Sequence, residues 1–171
     1  MDRAINALLA KQAITEAIYR YARGLDRMDK DIAYSVFHED CTAVYHDDIY
    51  EGSGHGFVDW VWESHAKMSH HSHQMSNPLI ELEDSDDPQT AGSETYVTVS
   101  LITLPDDDGT QIHLGAKSRY NDRWSKRNGI WAIERREHVL DMQFVDGAVV
   151  AGGKESRRDP NDPSYRFVGG L

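Results

Sequence analysis

His71 and His73 stand two residues apart in the stretch SHHSHQMSN, and nine histidines occur in the 171 residues. A neutral imidazole accepts a proton near neutral pH, which makes it the commonest general base. His70, His71, His73, His113 and His138 fall in stretches that read as strands. Alternation puts His71 and His73 on one face, together with Met75 and Asn77. Two imidazoles so placed can share a metal with a third ligand such as His113 or His138. No carboxylate or cysteine stands at a telling spacing from them, so the expectation is a site without metal and without a cofactor. The ordinary alternative is that these are surface or half-buried strand histidines.

Asp26 is the acid of interest. It closes YRYARGLD, at the end of a helical pattern, where a carboxylate ordinarily caps or sits in a solvated turn. Turned into a cleft it is partly desolvated and needs a partner, which a histidine on a facing strand can supply. Nucleophilic chemistry finds little support. There is no Gly-x-Ser-x-Gly elbow, and Cys41 has no activating neighbour. No phosphate-binding glycine loop occurs. Gly52-Ser53-Gly54 reads as the start of a helix, and Asp106–Asp108 as a solvated hairpin tip.

The elements that must position these groups follow from periodicity. Residues 3 to 23 form an amphipathic helix, with Ile5, Leu8, Leu9, Ile14, Ile18, Tyr21 and Leu25 near helical spacing. Asp2 caps it and Gly24 stops it. Asp29 starts a short second helix that runs to about Phe37. Residues 41 to 51 form a hairpin. A third helix runs from about Gly54 to Met68, with Phe57, Trp60, Val61 and Met68 apolar. Strands follow at 69–83, 93–104, 111–124 and 130–144, broken by EDSDDPQTAG, PDDDGT and SKRNG turns. Residues 145 to 171 read as an extended tail of the same single domain. The class is α+β, with helices on one face of a curved, antiparallel or mixed sheet, and an apolar pocket between the layers.

Lys plus Arg number 18 and Asp plus Glu 29, a net charge of −11. Such a chain repels phosphate backbones and anionic lipid, so neither nucleic acid nor a membrane is the expected partner. A small molecule is. The single cysteine and the absence of a signal-peptide pattern lead to a cytoplasmic expectation.

The segments YRYARGLDRMD, HQMSN followed by PLIEL, RYNDRW, GIW and DPNDPSY resemble the SnoaL-like branch of the NTF2-like superfamily, over nearly the whole chain. That branch includes enzymes similar to scytalone dehydratase, bile-acid 7α-dehydratase and hexachlorocyclohexane dehydrochlorinase. The resemblance implies a cone-shaped fold in residues 1–144, with three N-terminal helices on the sheet. It also implies a cofactor-independent lyase of dehydratase type acting on a small, ring-bearing molecule. Loss of formaldehyde, double-bond isomerisation and a non-catalytic binding role are the alternatives.

Carried over by position, Asp26 matches the family's acid after the first helix and His73 the histidine that works with it. Tyr21 matches a polar pocket residue of the dehydratases. Ser118 and Tyr120 fall on the pocket face, which the alternation Ile112, Leu114, Ala116, Ser118, Tyr120 supports independently. Tyr45, His71, Tyr96, Thr98 and Arg136 complete the expected substrate contacts. One departure stands out: the second histidine that scytalone dehydratase carries on the strand ending near Leu104 is missing. Relatives resembling this chain are often dimers or trimers, and a homo-oligomer is expected here.

Overall fold

The computed structural model describes residues 2–151, 161 and 163–167. Asp2 opens the first helix, α1 (Arg3–Asp26), by accepting a hydrogen bond from the Ala4 amide at 3.1 Å. A short acceptor side chain suits this place because the first helical amides lack partners of their own. The buried stripe is Ala10, Ile14, Ala17, Ile18, Tyr21 and Leu25. Ile5, Leu8 and Leu9, expected on the same face, lie exposed.

Gly24 does not stop this helix. A Cβ there would sit 2.7 Å from the Ala33 amide nitrogen, so the glycine instead lets α2 (Lys30–Tyr34) close onto α1. The chain turns at Met28, with φ 52°. Asp29 then caps α2 through the Ile32 amide at 3.1 Å.

The strands are β1 (Phe37–Tyr45), β2 (Tyr50–Ser53), β3 (Met68–Leu82), β4 (Thr90–Thr103), β5 (His113–Arg127), β6 (Ile130–Val145) and β7 (Ala148–Ala151), with α3 (Gly54–His65) between β2 and β3. They lie in the order β2-β1-β6-β5-β4-β3, and β7 pairs with β6. All neighbours are antiparallel except β1 and β6, which run parallel. The three helices therefore do not simply precede the sheet: β1 and β2 fall between α2 and α3. Register shifts at Ser76/Leu79, Lys117/Ser118 and Arg123/Trp124 mark bulges that bend and twist the long strands.

α1 packs on the inner face of this sheet. Ile14, Ile18 and Leu25 meet Phe57, Val58, Val97, Trp124 and Ile133 in one core. Part of the expected extended tail is ordered against the outer face. Arg123 donates to the Arg166 carbonyl at 2.8 Å, and a Cβ on Gly92 would lie 1.7 Å from the Phe167 carbonyl oxygen. Residues 152–160, 162 and 168–171 of that tail lie outside the described residues. Among the described residues no helix is long and apolar enough to cross a membrane.

Candidate active site

α1 ends on Asp26, and β3 carries His73 past that end on its inner face. The His73 Nδ1 nitrogen lies 2.6 Å from Asp26 Oδ1. The His73 amide donates to both carboxylate oxygens, at 3.1 and 3.0 Å. The imidazole side chain is 5% exposed and the carboxylate 16%. Burial pushes the Asp26 carboxyl up, but the bonds from the His73 ring and amide and the nearness of His73 and His71 together hold it below its usual range. A carboxylate only accepts, so it fixes the proton on Nδ1 and leaves the lone pair on Nε2. The site thus holds a base with a fixed tautomer and a partner ready to stabilise positive charge.

His71 occupies the same face two residues earlier, as alternation requires. It is not free for substrate contact: Nδ1 lies 3.3 Å from the Leu25 carbonyl oxygen and Nε2 3.0 Å from that of His65. His65 itself was not anticipated. Its ring packs 4.3 Å from that of His71 and 5.6 Å from that of His73. Burial, then the neighbouring His73 and His71, push His65 down to about 3. The signal was present, because Phe57, Val61 and His65 follow one another at helical spacing. Of the apolar residues on this helix Trp60 is exposed, while Val58 is buried.

Deeper in the cup lies a layer of tyrosines over a salt bridge. The Tyr21 and Tyr45 hydroxyls are 3.1 Å apart. Arg136 lies 4.3 Å from the Tyr21 ring centre and 4.1 Å from that of Tyr120, in the range of a cation–π contact. Its guanidinium donates to both oxygens of Asp122, at 2.7 and 2.8 Å. Arg136 was expected to meet substrate; instead it is buried with its own counter-ion. Asp122 was missed, although it extends the alternation of Ser118 and Tyr120. Burial raises all three phenols, so they stay protonated, with Arg136 opposing the shift in each.

His138 stacks on Tyr45 with ring centres 4.8 Å apart. Burial, then Arg136 and His46, push it down to about 3. Ser118 is buried and pairs in register with inward-facing Val97.

Tyr96 and Thr98 are not part of this constellation. They are exposed on the outer face, because the inward set on β4 is Thr95, Val97 and Val99. Val97 and Val99 face Met75 and His73 across the sheet. A phase error of one residue reverses every side chain on a strand.

These buried rings line the space between the layers, where an apolar pocket is expected. A cleft of about 300 Å³ beside the dyad is bordered by Asp26, Met28, His65, Ser69 and His71. Among the described residues no three His, Cys, Asp or Glu side chains are grouped so as to hold a metal ion. His113, a candidate third ligand, bonds Ser100 on an exposed stretch at 2.7 Å.

Several solved structures share this architecture. A scytalone-dehydratase-like protein from Novosphingobium aromaticivorans DSM 12444 is 22% identical. The match spans 91% of this chain and 99% of that one, with a TM-score of 0.72. A type 2 hexachlorocyclohexane dehydrochlorinase (LinA) is 13% identical over 87% and 94% of the two chains, with a TM-score of 0.70. The type 3 dehydrochlorinase of Novosphingobium barchaimii LL02 is 12% identical over 86% and 98%, with a TM-score of 0.67. At such identities the likeness is one of fold. No curated protein matches by sequence. The family model described as SnoaL-like domain matches residues 6–137, most of the chain, and on that ground the protein belongs to the SnoaL-like domain family.

Proposed function

We propose that the protein is a cofactor-independent lyase of dehydratase type, with His73 as general base. The carrying observation is the 2.6 Å contact between His73 Nδ1 and Asp26, nearly closed off from solvent. His73 Nε2 removes a proton from a carbon acidified by a neighbouring carbonyl or phenol. The C–H electron pair becomes the new double bond, and the C–O bond to the departing hydroxyl breaks. The imidazolium so formed returns its proton to the departing hydroxyl, which leaves as water and restores neutral His73, while Tyr21, hydrogen-bonded to Tyr45, donates a hydrogen bond to that hydroxyl.

Asp26 keeps the ring in the working tautomer and stabilises the imidazolium as it forms, which is the part the aspartate plays in a catalytic triad. The aromatic lining of the cup favours a small, weakly charged, ring-bearing substrate. The solved neighbours named for dehydration and dehydrochlorination support elimination as the reaction class.

The test incubates wild type, His73→Ala and Asp26→Asn with a mixture of hydroxylated cyclic and aromatic compounds. Mass spectrometry follows products lighter by one water. Wild type converts at least one compound. His73→Ala slows that conversion by roughly 10²–10⁴-fold, and Asp26→Asn by about 10⁴-fold through the wrong tautomer. Circular dichroism checks that both variants fold. Undiminished conversion by both ends this reading.

A further inference from the structure

We propose that His71 is a positioning residue: its ring ties the C-terminal ends of α1 and α3 together and so sets the Asp26 carboxylate against His73. The inference rests on the reading of Asp26 and His73 as the working pair. Leu25, whose carbonyl oxygen lies 3.3 Å from Nδ1, immediately precedes Asp26 in the chain. His65, whose carbonyl oxygen lies 3.0 Å from Nε2, is the last residue of α3. Carbonyls of a last helical turn lack an amide of the next turn, although that of Leu25 also accepts from the Met28 amide at 3.2 Å, and the negative end of the helix dipole favours a cation beside them. Two such ends meet at one ring.

A carbonyl oxygen only accepts. Both bonds therefore exist together only when both ring nitrogens carry hydrogen, that is, on the imidazolium. The groups facing that charge come from three elements. The Asp26 carboxylate on α1 gains stability in its ionised form from His71. The His65 ring on α3 is held neutral by burial and adds no like charge. His73 follows two residues on along the same strand. β4 places Leu101 opposite, which does not titrate. The exposed Arg27 and His70 border the same cleft. With the clamp closed, both Asp26 oxygens reach the His73 amide and one reaches Nδ1. With it open, the end of α1 is free to shift against β3, and displacements of about 1 Å suffice to spoil a catalytic contact.

The experiment needs no substrate. The short bond from His73 Nδ1 to a carboxylate places its proton far downfield in the proton NMR spectrum, where it is assigned by its loss in His73→Ala. His71→Phe keeps a ring of similar size without either donor. His71→Gln keeps a donor in the place of Nε2 but no charge. The downfield signal is lost or broadened in His71→Phe, and the His73 amide exchanges with deuterium roughly tenfold faster. In His71→Gln, which keeps only one of the two contacts, the signal is weaker than in wild type.

A folded His71→Phe with the wild-type signal and exchange rate overturns the proposal. Should that variant fail to fold, His71→Gln decides, and a signal of wild-type strength in it overturns the proposal equally. Failure of the elimination reading is seen separately, as conversion that survives in His73→Ala and Asp26→Asn.

Discussion

Acidification from pH 7 to pH 5 should cost this protein a large part of its stability, and two buried histidines set the amount. His65 and His138 are 4% and 8% exposed, and burial holds each down to about 3 in the folded chain. In the unfolded chain each returns to about 6.5. Below that pH the unfolded chain takes up protons that the folded chain refuses. Stability is therefore full above about pH 6.5 and falls with pH until about pH 3.

At about 1.4 kcal/mol per pH unit per group, rounded off near the unfolded value, each histidine costs about 2 kcal/mol between pH 7 and pH 5. Together they cost about 4 kcal/mol, against a total stability of about 5–15 kcal/mol for an ordinary domain. Asp26 acts in a different window. Its lowered folded value contributes stability present above about pH 4 and lost only below it, so it is silent between pH 7 and pH 5.

The assay is urea unfolding at both pH values for wild type, His65→Asn and His138→Gln. Each variant should lose about 2 kcal/mol less than wild type on acidification, whatever its stability at pH 7. Variants that lose as much as wild type would refute the argument that these rings are buried neutral.

Two further outcomes follow from the packing. Arg136→Met strands the Asp122 carboxylate, whose side chain is 0% exposed, and should destabilise by about 3–5 kcal/mol. Adding Asp122→Leu should recover most of that, which urea midpoints of the single and double variants will show. Gly24→Ala forces a Cβ to 2.7 Å from the Ala33 backbone and should cost about 1–3 kcal/mol. A thermal midpoint equal to that of wild type would contradict the close approach of α1 and α2.

Much of the frame is visible in local patterns. The stripe from Ile14 to Leu25 identifies α1 because helical periodicity needs only neighbouring residues. The alternation through Ser118 and Tyr120 identifies the inner face of β5 for the same reason. The phase of β4 was also legible, since Thr95, Val97, Val99 and Leu101 are the more apolar set. Tyr96 and Thr98 carry hydrogen-bonding groups but fall out of phase with that pattern. Gly24 misled because a glycine near a helix end has two explanations, and only the position of Ala33 separates them.

The chemistry of the site divides along the same line. By itself the sequence determined which acids, imidazoles and phenols exist and which face of its own element each occupies, because those faces follow from the 3.6-residue and 2-residue periods of the backbone. The family resemblance implied that Asp26 works with His73, but only the tertiary structure decided that the two touch across 47 residues, that Arg136 meets Asp122 rather than a ligand, and that His71 binds two helix ends. The physical reason is that a buried charge or donor is tolerable only beside its partner. Which partner comes within reach depends on strand register and helix docking, distances that no local pattern of residues encodes.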